Sequence, residues 1–152
     1  MIDALKAQGL WLKSKRERQP RQIAAIYDYR DEAGTLLYQV IRYQPKDFRQ
    51  RRPDGKGDWI WNLVGVRRVL YLLPELTAAP EREVFIVEGE KDADLLANLG
   101  LQATTSAGGA GKWTDDFNGV LAGREVFILP DNDEPRSPAC ECCRAVFTSQ
   151  QS

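Results

Sequence analysis

Val84-Phe-Ile-Val-Glu-Gly-Glu-Lys-Asp-Ala-Asp94 is the stretch on which the fold turns. It opens as a short, nearly unbroken apolar run, the pattern of a strand covered on both faces. Acids follow at the strand's carboxyl end, Glu88 first, and then a helical stretch from Lys91 to Leu99 with Gly100 placed to cap it. Val126-Phe-Ile-Leu-Pro-Asp-Asn-Asp133 repeats the theme: an apolar strand over residues 125–129 that terminates in Asp131 and Asp133. Between the two, Gln102-Ala-Thr-Thr-Ser106 reads as another strand and Ala107-Gly-Gly-Ala-Gly111 as a flexible loop. Thr114 can cap a helix running to about Ala122, which Gly123 ends. Strands alternating with helices predict an α/β class with a parallel sheet.

Upstream the period changes from helical to two. Residues 23–29 and 36–43 read as strands joined by a turn at Asp31-Glu-Ala-Gly34, a β-hairpin. Residues 45–57 are polar and rich in turn formers, and 59–63 would be a third strand with Trp59 and Trp61 on one face. A strand end leads into a short helix at Pro74. Residues 1–22 begin with a helical pattern and continue into a basic linker. The chain therefore divides into an N-terminal helix and linker at 1–22, a β-rich basic subdomain at 23–80, an α/β core at 81–133 and an irregular tail at 134–152 that holds Cys140, Cys142 and Cys143.

The charge follows this division. Residues 1–80 carry 15 Lys and Arg against 9 Asp and Glu, and residues 81–152 carry 6 against 13, so a net charge of −1 hides a basic half and an acidic half. The 152 residues contain no His, which excludes His-based metal sites and triads. Three cysteines in a C-x-C-C cluster lack the second half of a zinc site. No apolar run reaches the roughly 18–20 residues of a membrane span, and no secretory pattern opens the chain, so a cytoplasmic protein is expected.

Two acid-tipped strands point to a specific chemistry. Ligands of an open α/β sheet bind outside the carboxyl ends of its strands. If these strands are parallel neighbours, Glu88 and the Asp131/Asp133 pair converge on one edge. Asp92 shares a helical face with Leu95, Leu96 and Leu99, which predicts that it faces the sheet. Clustered carboxylates repel one another unless a hard cation lies between them, and Mg²⁺ suits such oxygen ligands while leaving positions open for phosphate. Ser106-Ala-Gly-Gly-Ala-Gly-Lys-Trp113 fails the P-loop pattern at both Ser106 and Trp113, yet its amides and Lys112 can contact a phosphate. In the basic half, Lys46, Arg49, Arg51, Arg52 and Lys56 lie close to Trp59 and Trp61. Cations that hold phosphates and rings that stack bases are the working parts of single-strand binding.

The segments 84–94 and 126–133 resemble the two signature motifs of the Toprim domain, nearest to those of phage and plasmid DNA primases and primase–helicases. The resemblance covers residues 82–133. It implies a Toprim-like parallel-sheet core after a small β-rich subdomain, with Glu88 in acid/base duty, Asp131 and Asp133 as ligands of Mg²⁺ (or Mn²⁺), and Asp92 as a further acid near the metal. The implied activity is nucleotidyl transfer, primer synthesis on a single-stranded DNA template from nucleotides, with a replicative helicase as a further candidate partner. A non-catalytic single-strand-binding remnant and a Toprim-type nuclease are the alternatives. Nineteen residues follow Asp133, fewer than the helix and strand that complete a Toprim sheet, so a core incomplete at its C-terminus and a fragment shortened at both ends are expected.

Overall fold

A computed structural model describes residues 20–109 and 112–130, with the backbone of one further strand at Cys143–Val146. β1 (Gln22–Arg30), β2 (Leu36–Gln44), β3 (Asp47–Pro53) and β4 (Trp59–Ile60) form an antiparallel sheet in that order. The β1–β2 turn is built by Asp31, whose Oδ1 accepts the amides of Ala33 and Thr35, and by Gly34 at φ 84°.

β3 corrects the reading of 45–57 as a polar loop. The segment pairs with β2 from Tyr43↔Asp47 to Gln39↔Arg51. Alternation puts Arg49 and Arg51 on one face and Phe48, Gln50 and Arg52 on the other. Long aliphatic stems let arginines cover a sheet while their charged ends reach water, so a basic stretch can be a strand. Only Pro45–Lys46 and the residues around Gly55 remain as turns, the latter held by Asp54, whose Oδ1 accepts the amides of Lys56 and Asp58. The strand expected over 59–63 stops at Ile60.

The second sheet contains β5 (Val84–Ile86), β6 (Ala103–Thr104), β7 (Glu125–Ile128) and β8 (Cys143–Val146) in the order β6-β5-β7-β8. The first three are parallel, as the α/β rhythm predicted, and β8 runs antiparallel to β7. β8 falls in the tail read as irregular. Its four residues gain their order from the ladder with β7, which no local pattern announces. The helices are α1 (Leu73–Ala78), with Pro74 in its first turn, α2 (Glu90–Asn98) and α3 (Asn118–Leu121). The helix expected over 114–122 is instead a 3₁₀ turn at Asp115–Phe117 followed by α3, and the Thr114 side chain makes no capping bond.

One apolar cluster joins the two sheets. Tyr27, Tyr29, Tyr38 and Val40 of the antiparallel sheet pack with Val69, Tyr71 and Leu73 and with Val87, Ala93 and Ala103 of the α/β half. A second cluster, including Leu70, Leu76, Val84, Phe117, Leu121 and Val126, lies across the parallel sheet. Arg124 is buried: it donates to the Leu76 carbonyl of α1 and to Gln102 Oε1 at 3.2 Å. Burial lowers its pKa from the ordinary arginine value. Among the described residues no helix is long and apolar enough to cross a membrane.

Candidate functional site

The strand order places a crevice between β5 and β7. The chain leaves β5 through α2 toward β6 on one side, while β8 lies on the far side of β7. Where connections diverge in this way, the carboxyl ends of the two strands open a binding site. Glu88 emerges there from β5. Leu129 and Pro130 emerge from β7, with the Leu129 amide bonded to the Ile86 carbonyl at 2.8 Å. A cavity of about 170 Å³ at this edge is lined by Glu88, Asp92, Leu95, Leu129 and Pro130, among others.

The four acids of the β5–α2 segment divide into two pairs. Glu90 is buried and accepts the Tyr29 hydroxyl at 2.8 Å. Asp94, one helical turn on, accepts the Tyr71 hydroxyl at 2.9 Å. Both phenols belong to a stacked cluster, with Tyr29 and Tyr38 rings 4.6 Å apart and Tyr29 and Tyr71 rings 5.2 Å apart. Burial, and the neighbouring carboxylate in each case, push the Tyr29 and Tyr71 pKa values well above the ordinary phenol range, while burial pushes Tyr38 up to about 12. Glu88 and Asp92 are exposed, and among the described residues neither carboxylate has a hydrogen-bond or ion-pair partner.

This division overturns the expected facing of Asp92. At 100° per residue, Glu90, Ala93, Asp94 and Ala97 share one side of α2, and Asp92, Leu95 and Leu99 the other. Asp92 groups with Leu95 and Leu99 on the outer side, Leu95 being 60% and Leu99 69% exposed, whereas Leu96, expected on the same face, packs against the core cluster. Two phenolic donors need acceptors, and the small, fully buried Ala93 permits close approach, so Glu90, Ala93 and Asp94 turn inward, while Ala97 further along is exposed. Asp92 is the third residue of the helix, where a negative charge is favourable against the helix dipole. Its carboxylate folds back over Gly89, where a Cβ would stand 3.8 Å from Oδ2.

The glycine loop reaches the same edge. Gly109 has φ 84°, and a Cβ there would lie 3.7 Å from the Glu88 carbonyl. Its amide bonds to Ser106 O at 3.0 Å, and the Lys112 amide bonds to Gly109 O at 3.0 Å. These two amides are therefore spent within the loop, and the Lys112 side chain is available to an anion. It lines a cavity of about 340 Å³ between the loop and the antiparallel sheet, together with Arg68, Gln50, Tyr38, Thr114 and the backbone of Ser106–Gly108. Arg68 lies 5.8 Å over the Tyr38 ring and 3.3 Å from Gln50 Oε1. Among the described residues no acid lines this cavity. Arg68, Gln50 and Tyr38 escape a sequence reading because their approach to Lys112 is purely tertiary; the Arg67-Arg68 pair before an apolar run was the one available signal.

The basic stretch is dispersed by its strand. Arg51 lies 3.9 Å over Trp59 and 5.5 Å from the Trp61 ring, and its Nε donates to Gln39 Oε1 at 2.8 Å. Gln39 passes the chain on to Asp28, which also pairs with Arg30 at 2.6 Å. Arg49 is exposed on the same face, near Asp47 at 3.8 Å, and Trp61 is 51% exposed. Arg52 alternates onto the opposite face, where its Nε is buried without a partner, so it does not join them. Lys46 and Lys56 are exposed at the two ends of β3.

Asp131 and Asp133 lie outside the described residues, as do Cys140 and Cys142. Among the described residues no three His, Cys, Asp or Glu side chains converge as a metal group. Glu88 and Asp92 are hard oxygen donors whose side chains have no partner among the described residues, and Mg²⁺ commonly takes only one or two carboxylates alongside phosphate and water. The donor set present fits that ion in kind. Compared with protein-family models, curated protein sequences and solved structures, the chain finds no match.

Proposed function

We propose that this chain is a Toprim-type DNA primase, a Mg²⁺-dependent nucleotidyl transferase that builds a primer on single-stranded DNA. The observation that carries this reading is the division of the acids: two are consumed as acceptors for buried phenols, and two at the crevice between β5 and β7 have no partner among the described residues. Unpaired carboxylates at a sheet's carboxyl edge are costly as neighbours and useful only with a cation or a proton to manage.

In this reading Asp131 and Asp133, which follow Pro130 in the chain, join Asp92 in holding Mg²⁺ or Mn²⁺. The bound ion supplies charge neutralisation at the phosphates. Glu88 accepts the proton of the attacking 3′-hydroxyl. Lys112 and Arg68 face the phosphates of the incoming nucleotide from a cavity that no acid among the described residues lines. Arg49, Arg51 and Trp61 offer cations and an exposed ring to the template, with Lys46 and Lys56 at the flanks. The same reading puts the protein in the cytoplasm beside a replicative helicase.

The test offers single-stranded template, ribonucleotides and Mg²⁺ to the wild type, Glu88→Gln and Asp131→Ala. Primer synthesis by the wild type and loss of at least about a hundredfold in both variants is expected. The outer face of the antiparallel sheet supports a second reading, a single-strand binder without chemistry, because its cation–ring cluster requires no metal. Template binding without synthesis, unchanged in both variants, would select that reading, and metal-dependent template cleavage would select a nuclease.

A further inference from the structure

We propose that Tyr29 and Tyr71 are positioning residues for the acid edge: their hydrogen bonds to Glu90 and Asp94 set the rotation of α2 and so present Glu88 and Asp92 together at the crevice. The inference rests on the reading above that these two acids serve a divalent cation.

Ala93 and Leu96 also pack α2 against the core cluster. The helix offers two faces of comparable appeal to a core. One carries Leu95 and Leu99, and the other carries Glu90, Ala93, Asp94 and Ala97. Leu96 already packs against the core cluster, and hydrophobic burial alone would bring Leu95 and Leu99 in beside it and take Asp92 with them. The observed rotation is the opposite: Leu95 and Leu99 are more than half exposed. Two directional bonds at 2.8 and 2.9 Å, one turn apart along the helix, oppose that preference. Their donors are rigid: Tyr29 is fully buried, and its ring is stacked at 12° on Tyr38 and held against Tyr71. The clasp begins at the first residue of α2, two residues from Glu88 and two from Asp92. Outer partners that orient metal ligands commonly change metal affinity by about 10–100-fold when removed.

The experiment titrates Mn²⁺ into the full chain and reads bound metal by electron paramagnetic resonance. Four proteins are compared: the wild type, Glu88→Gln/Asp92→Asn, Tyr29→Phe/Tyr71→Phe and Thr104→Val. Thr104 is fully buried and its hydroxyl bonds the Tyr71 carbonyl at 2.7 Å, so its valine variant removes a hydroxyl and a hydrogen bond from the same core while leaving both phenol–carboxylate bonds their partners. The proposal expects the double phenylalanine variant to bind Mn²⁺ about tenfold more weakly than wild type, with Thr104→Val within about twofold of wild type, both folded by circular dichroism. Equal weakening in the two variants, or wild-type affinity in the phenylalanine variant, overturns it. The acid double variant judges the underlying reading separately: if it binds Mn²⁺ as wild type does, the cation assignment fails and the positioning role falls with it.

Discussion

Arg51→Ala separates a structural from a purely ligand-binding role for the outer face of the antiparallel sheet. The side chain makes three interactions within the fold: a guanidinium 3.9 Å from the Trp59 ring, a longer approach to Trp61 at 5.5 Å, and an Nε hydrogen bond to Gln39 at 2.8 Å. Cation–ring contacts at partly exposed sites contribute roughly 0.5–1 kcal/mol each. Loss of the Nε donor leaves the amide oxygen of a buried Gln39 short of a partner, at roughly 1–2 kcal/mol. Together these give a destabilisation of about 2–4 kcal/mol. For a chain of this size that lowers Tm by roughly 5–15 °C. Urea unfolding followed by tryptophan fluorescence measures it, and the double variant with Trp59→Leu isolates the pair, with a coupling of about 1 kcal/mol expected. A loss under about 0.5 kcal/mol, or a coupling indistinguishable from zero, would refute the account and leave Arg51 free for a ligand alone.

Arg124→Met should cost about 2–4 kcal/mol in urea unfolding, because the carbonyl of Leu76 and the amide of Gln102 lose a buried charged donor. Glu32 is exposed, and the guanidinium of Arg67, bonded to it at 2.6 and 2.8 Å, holds its pKa at about 2. Its folded pKa is depressed, so its contribution is present above the unfolded carboxylate value and lost as pH falls from about 4.5 to 2; solvent screening keeps it under about 1 kcal/mol. Wild type and Glu32→Gln should therefore differ slightly in Tm at neutral pH and converge near pH 2. The raised pKa values of Tyr29, Tyr38 and Tyr71 act in the other direction: neutral phenols support the fold below about pH 10, and that support is lost as pH rises beyond it. Ionisation of these three phenols should accompany loss of the circular dichroism signal, and their ionisation in an intact fold would contradict the buried cluster.

The residues 84–94 announced a strand and a helix because apolar continuity and helical spacing are local properties, and both elements stand within two residues of their expected ends. The hairpin of β1 and β2 was legible for the same reason, with Asp31 and Gly34 marking its turn. Glu88 at the carboxyl end of β5 followed directly. What the sequence did not disclose was which way α2 would face. Its leucines and its alanines with acids are equally periodic, and the choice depends on Tyr29 and Tyr71, 61 and 23 residues away from their partners. β3 was hidden because arginine-rich segments look like solvated loops until a neighbouring strand supplies the ladder.

The sequence by itself therefore determined the alternation of elements, the basic and acidic halves, and the placement of acids at strand ends, since each is set by residues near one another in the chain. Only the tertiary structure decided which acids are spent and which have no partner among the described residues, and that the cations Arg68 and Lys112 share one cavity. Those outcomes depend on hydrogen-bond partners and on burial contributed by distant segments, and a buried phenol must find an acceptor wherever the fold provides one.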